Sequence, residues 1–409
     1  MTRTRFSSRA CHRGTGGAWI HAGFTLIELM ISMAIGLLLV LAMMTLLINV
    51  NRNNSELSKT TRLIENGRFA LQLLAADISH AGFWGGYVPQ FDDLTTSGVP
   101  PDFPSAVPDP CLAYASWTAA VKTNLIGIPV QGYEIPAAVP SPTLSVCASR
   151  VTSPKAKTDV LFVRHVERTA NCNPAVLNVA GKDDCPLPTE NALYFQIQRC
   201  GTTAFAPTPY AFEQYVAAND AVLFPLQDRN CTASAERRTF VSNLYYIRDY
   251  AVTAGDGLPT LMRSQFGVSA GLLEHKSAEA LIEGIEGFRV EYGVDSLSDT
   301  GAAVNSGAAI TWANSANKIS PTNHGDGIPD AGYVQCTTAS PCTVAQLANT
   351  VAVRIYVLVR SERTTPGYTD SKTYNLGSTS LGPFNDAYKR HLFTQTVRLN
   401  NISTRRETP

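Results

Sequence analysis

The 409-residue chain has no C-x-x-C pair, no P-loop and no dinucleotide-binding glycine pattern. Its seven histidines are scattered rather than clustered. Together these absences argue against zinc frameworks and nucleotide-phosphate chemistry. There is no charge excess either: Lys+Arg and Asp+Glu both total 33. No separate basic patch stands out, so nucleic acid is not an expected partner. The first proline is Pro89. Between Phe24 and Ile48 there is one charge, Glu28.

What is present begins with that 25-residue apolar run, FTLIELMISMAIGLLLVLAMMTLLI. It is long enough to span a bilayer as a helix and too long for the core of an ordinary secretory signal. Arg3, Arg5, Arg9 and Arg13 precede it with no acid among residues 1–23. The positive-inside rule then keeps the start cytoplasmic and sends the remainder outward. Without residues 1–23 the chain is mildly acidic, 29 basic (33 less those four arginines) against 33 acidic residues.

The polar groups of the run sit in unusual places. The small residue, Gly23, stands before the apolar run, whereas a secretory signal would end on a small-x-small site. Glu28 lies five positions inside the run and has no Lys, Arg or His within reach up to Asn51. An ionised carboxylate at the bilayer centre costs about 2.5–3.5 kcal/mol, so such a residue usually has a partner. Cutting the chain after Gly23 would create one, the α-amino group of Phe24, largely protonated at neutral pH.

Gly23-Phe24-Thr25-Leu26-Ile27-Glu28, with the basic leader and the apolar span, resembles the type III signal of type IV prepilins and type II secretion pseudopilins. The resemblance implies cleavage between Gly23 and Phe24 by a prepilin peptidase that also N-methylates Phe24. It implies that Glu28 pairs with the Phe24 amine of a neighbouring subunit during assembly. The leader is longer than those of many type IVa prepilins.

Helical spacing continues beyond the run through Leu63, Ile64, Phe69, Leu71, Leu74, Ile78 and Ala81. A helix from Phe24 to His80 would be about 85 Å long at 1.5 Å per residue. Gly36 and Gly67 are its weak points, and Gly82, Gly85 and Gly86 with Pro89 end it. The segment RLIENGRFALQLLAADISHAGFWGGY resembles the minor pilin PilW family, as do LIEGIEGFRVEYGVD from Leu281, NTVAVRIYVLVRS from Asn349 and YKRHLFTQTVRL from Tyr388.

The fold class expected is α+β. A long N-terminal helix, transmembrane and then amphipathic, packs on a largely antiparallel β-sheet head of pilin type with long disulfide-stapled loops. The divisions are a cleaved leader 1–23, a helix 24–82 with its transmembrane half at 24–48, and a periplasmic head 83–409. Residues 88–157 read as loop-rich. Strands are expected at Val160–Val166, Leu193–Gln198, Ala221–Phe224, Phe240–Ile247, Thr260–Arg263, Phe288–Tyr292, Thr350–Val359 and His391–Leu399. Ser277–Glu283 reads as a short helix or turn, Ser296–Pro321 as a loop, and Asn400–Pro409 as a polar, frayed tail.

Beyond the apolar run lie eight of the nine cysteines: Cys111, Cys147, Cys172, Cys185, Cys200, Cys231, Cys336 and Cys342. The even set suits disulfides in an oxidising compartment. Cys111 and Cys147 are candidates to staple the loop-rich region, and Cys336/Cys342 to close a local loop.

Two motifs suggest chemistry. Gly267-Val268-Ser269-Ala270-Gly271 matches the nucleophile-elbow pattern, with His391 a conceivable partner, but there is no HGGG-type segment and no regular βα alternation. It reads as a turn between strands. The Asn323–Asp330 stretch has the look of a calcium loop with Asp326 and Asp330 as weak ligand candidates, yet it lacks the repeated acids of an EF-hand. Beyond that calcium, no cofactor is expected. The pairs Asp92/Asp93, Asp183/Asp184 and Glu283/Glu286 read as solvated charges, and Phe83-Trp84 and Tyr245-Tyr246 as core.

The family resemblance implies a minor pilin of an initiation or tip complex, serving pilus biogenesis, twitching motility and adhesion. Its implied partners are other minor pilins, the major pilin, a tip adhesin and the prepilin peptidase/methyltransferase. Its implied location is the inner membrane, single-pass, and then the pilus. The alternatives are a J-class type II secretion pseudopilin and an anchored periplasmic hydrolase acting through Ser269.

Overall fold

The computed structural model describes residues 23, 25–136, 147–171, 186–201, 209–330 and 332–407. Cys172, Cys185, Asp183, Asp184 and Phe24 lie outside the described residues. The chain divides into two units, 1–57 and 58–409.

Helix α1 runs without a break from Leu26 to His80. No proline interrupts it, and neither Gly36 nor Gly67 bends it out of helical hydrogen bonding. It stops at Gly82, whose φ of +72° is a left-handed conformation that a side chain disfavours. In the second unit its buried residues Leu63, Gly67, Ala70, Leu74 and Ile78 fall three or four apart, one stripe of the helix.

The head is built of antiparallel strands: β1 Val130–Ile135, β2 Thr158–Val166, β3 Leu193–Ile197, β4 Tyr210–Gln214, β5 Arg237–Arg248, β6 Thr260–Ser269, β7 Leu272–His275 and β8 Glu279–Glu283 form one eight-stranded sheet. Twelve-residue β5 is its hub and pairs with β2, β3 and β6 along different parts of its length. At Gly284 (φ +82°) the chain leaves that sheet for the next. The second sheet has three strands, β9 Ile285–Val294, β12 Thr350–Arg360 and β15 Arg390–Arg398, with β12 in the middle. Two small hairpins complete the strands, β10 Trp312–Asn314 with β11 Ile319–Pro321, and β13 Tyr374–Leu376 with β14 Thr379–Leu381. Short helices are α2 Ala119–Gly127, α3 Asp220–Leu223, α4 Val344–Ala348 and α5 Asn400–Arg406.

Strand periodicity explains the core. On β12, Val351, Val353, Ile355, Val357 and Val359 join the α1 stripe in one cluster with Val290, Tyr292 and Val397. The alternate residues Tyr356 and Leu358 pack on Tyr374 and Leu376 of the β13–β14 hairpin. That is why β12 reads as an apolar run interrupted only by Arg354: both of its faces are covered. A second, aromatic cluster gathers Trp84, Phe195, Phe212, Phe240 and Phe266.

The fold is α+β as expected, with corrections. Ala221–Phe224 is not a strand; it falls within and just past the single turn α3. Ser277–Glu283 is not helical but supplies β8, whose alternation the short apolar run hides. The loop-rich region holds α2 and edge strand β1. The tail is not frayed: Asn400–Arg406 is helix α5, with Ile402, Ser403 and Arg406 buried. Asp92 and Glu286 are buried rather than solvated, at 4% and 5% exposure, because arginines neutralise them.

Candidate assembly site

Among the described residues nothing covers the apolar surface of the N-terminal unit. Every large apolar side chain from Leu26 to Val50 is exposed. Water does not tolerate such a surface, so lipid or other helices must cover it. Within the described residues this is the one helix long and apolar enough to cross a membrane.

The start of α1 is built by two side chains. Thr25 is the N-cap and Glu28 stands at the third helical position. Glu28 N–H donates to Thr25 Oγ1 (3.4 Å), and Thr25 N–H and Oγ1 donate to Glu28 Oε2 (3.0 and 2.9 Å). This is a capping box: each side chain satisfies a backbone donor left over at the helix end. The T-x-x-E spacing announces it, and Thr25 joins Glu28 as a functional residue of this helix start. Gly23 is exposed beside it.

In the second unit, head contacts hold α1. Lys59 donates to the Thr364 carbonyl (3.0 Å), and Asn66 to that of Glu283 (3.1 Å). At Gly67 an added Cβ would overlap the Phe393 ring, so β15 approaches the helix where the side chain is missing. Asp77 is nearly buried and has three neighbours: His165 Nε2 at 3.0 Å, with Tyr245 Oη and Asn243 Nδ2 each donating at 2.9 Å. Burial, and then the Asp77 charge, pushes the Tyr245 hydroxyl well above its usual pKa.

The end of α1 is capped by the C-terminal helix. Asn401 Nδ2 lies within 3.4 Å of the carbonyl oxygens of Ser79, His80 and Ala81, and Arg405 donates to that of Gly82 (2.8 Å). The Ser79 and His80 carbonyls belong to the last turn of α1, whose acceptors have no amide further along the helix, and those of Ala81 and Gly82 follow directly. Arg406 anchors α5 from inside. Its guanidinium contacts Asp92 (2.7 Å) and Asp295 (3.4 Å) and donates to Asn349 Oδ1 and the Ala348 carbonyl, both at 3.0 Å. Burial pushes the Asp295 carboxyl up to about 6 against the pull of Arg406.

Among the described residues three cysteine pairs are joined, Cys111–Cys147, Cys200–Cys231 and Cys336–Cys342. Asp330 Oδ2 accepts from the amides of Ser296 and Leu297, and Asp326 Oδ1 from that of Ile328. Among the described residues no group of three or more His, Cys, Asp or Glu comes together to hold a metal. Ser269 ends β6 where it turns into β7, and His391 lies on β15 of the other sheet, so the elbow motif is a hairpin turn and the pair is not assembled.

Two family models match the chain. The prokaryotic N-terminal methylation motif covers residues 21–44, the leader end, Thr25 and Glu28. That stretch carries a prepilin-type signature. The model of type IV pilus-assembly protein W covers residues 244–401, from the latter half of β5 to the start of α5. Both signatures on one chain support a PilW-type prepilin. The comparison with curated proteins finds no match. Among solved structures, a type IV-like pilin from Thermus thermophilus is 10% identical, with 83% of this chain and 98% of that one covered and a TM-score of 0.28. The matched families are of pilus structural and assembly proteins rather than enzymes. The apolar helix and the methylation motif are consistent with membrane anchoring.

Proposed function

We propose that the protein is a minor pilin that enters a type IV pilus through α1 and acts in initiation of the fibre or at its tip. One observation carries this reading: an uncovered apolar helix with a single carboxylate near its start belongs to the same chain as a PilW-type sheet. In this reading residues 1–23 are a leader, removed between Gly23 and Phe24, and the new amine is methylated. The helix leaves the inner membrane for the fibre, and the head stands in the periplasm and then on the surface. Apolar packing drives entry, and Glu28 sets the axial register by pairing with a neighbour's Phe24 amine, since an unpaired carboxylate in that setting is penalised. The other minor pilins, the major pilin and a tip adhesin are its partners, with twitching and attachment the outcomes. The match at 244–401 favours this over a J-class pseudopilin.

The test is N-terminal sequencing of the membrane-extracted protein, with Glu28→Leu in parallel. The protein should begin at methylated Phe24. Glu28→Leu should insert and be processed but should rarely reach surface pili. Wild-type piliation in that variant would remove Glu28 from the register mechanism.

A further inference from the structure

β1 is an edge strand, paired with β2 on one side alone. The Arg164 amide donates to the Pro129 carbonyl, which sets the phase of the ladder. Hydrogen-bonded positions alternate in an antiparallel pair, so Gln131 and Tyr133 direct their main-chain groups at β2. The N–H and C=O groups of Gly132 and Glu134 point off the outer edge, whereas Val130, 1% exposed, is covered at the start of the strand. Among the described residues none of the Gly132 and Glu134 groups has a hydrogen-bond partner there. An open row of this kind is a template for another strand.

A mostly apolar pocket of about 380 Å³ lies against this edge. It is lined by Gln131 and Gly132, by Pro108 and Asp109, and by the loop that the Cys336–Cys342 disulfide closes. Gln131 is 3% exposed; its Nε2 donates to the Pro108 carbonyl at 3.0 Å, and its Oε1 has no partner. The Tyr133 hydroxyl, also at the pocket, is buried without one. Buried polar atoms are normally paired, so both mark a place for a donor or acceptor from outside. The far wall is set in advance: Val334 exchanges main-chain hydrogen bonds with Tyr292, and the Thr338 amide donates to Glu134 Oε2 at 3.1 Å.

We propose that this groove receives an extended segment of another polypeptide, added as a strand along β1, with an apolar side chain in the pocket and a basic one beside Asp109. The open main-chain groups recur at every second residue, about 7 Å apart, which is the repeat of a peptide strand. Among the described residues the Asp109 carboxylate accepts one hydrogen bond, from the Cys111 amide at 3.2 Å, and its field also reaches the buried Arg164 guanidinium, so an incoming cation would share its charge with Arg164. A second copy is disfavoured as the occupant because it would bring another Asp109 to the same seam. The site stands independently of the assembly reading.

The test uses the full chain in detergent micelles and a fluorescent, amidated hexapeptide of sequence Thr-Val-Lys-Val-Thr-Val. It should bind saturably and slow exchange of the Gly132 and Glu134 amides. The same peptide N-methylated at alternate residues keeps its side chains but loses two or more main-chain hydrogen bonds, and should bind about tenfold or more weakly. Thr338→Trp, at an exposed pocket position, should block binding with the disulfides and near-UV circular dichroism unchanged. Asp109→Asn should weaken the lysine peptide severalfold and leave a norleucine analogue unaffected. Equal binding of the N-methylated peptide, or no saturable binding of the parent, would overturn the proposal. So would protection of the Gly132 amide in the free chain, whether segment 137–146 covers the edge or a second copy detected by sedimentation does.

Discussion

Arg406→Met removes the cation that holds the C-terminal helix inside the head. Arg406 is 3% exposed, Asp92 4% and Asp295 fully buried. The methionine fills much of the volume but leaves Asp295 with no counter-charge and Asp92 with Arg405 alone at 3.9 Å; the Ala348 carbonyl loses the Arg406 donor, and Asn349 Oδ1 keeps only Ser306. Breaking a buried ion pair from one side costs about 3–5 kcal/mol. With a urea slope of about 2–3 kcal/mol/M, that moves the unfolding midpoint down by roughly 1–2 M. The pH dependence has a definite sign. Burial already raises the Asp295 carboxyl to about 6 in the folded chain, and removing Arg406 raises it further. A carboxyl raised in the folded state is tolerated while protonated and costs stability as pH climbs. The penalty of Arg406→Met should therefore be smallest near pH 5 and largest near pH 8. The assay is urea unfolding of the full chain in detergent micelles at both pH values, followed by near-UV circular dichroism. A penalty below about 1 kcal/mol at pH 8, or one equal at the two pH values, would refute this account of the cluster.

Gly67→Ala should destabilise the head by about 1–3 kcal/mol through overlap with Phe393, and Phe393→Ala in the same chain should recover part of the loss, as a double-mutant cycle in urea would read. Asp77→Ala should cost about 2–5 kcal/mol, since Tyr245 and Asn243 lose their acceptor, and Asp77→Asn should cost less; equal losses would discount those hydrogen bonds. Ser269→Ala should change neither surface piliation nor hydrolysis of a p-nitrophenyl ester by the purified chain; a hydrolase activity lost in that variant alone would revive the enzyme reading.

The extent of legibility differed between elements for physical reasons. α1 was readable nearly to its last residue because no proline interrupts it and glycines end it. β12 is equally clear, since an apolar, β-branched-rich segment buried on both faces has few other uses, and β15 shows in its alternation of exposed and covered residues. Thr25 was legible and passed over: T-x-x-E is a local signal, and the capping box is its product.

The rest depended on residues far apart in the chain. Nothing in NNISTRRE marks a helix; its order comes from Asp92, Asp295 and the end of α1, brought there by the sheets. Asp92 and Glu286 look like surface charges until Arg406 and Arg390 are placed against them. The open edge of β1 is set by which strand pairs with which, and long-range pairing leaves little trace in a six-residue segment. Local composition was thus enough for the N-terminal helix, because a helix satisfies its own backbone from residues near in sequence. The head was settled by burial, since burial determines which charges must find one another and which strand edges stay open.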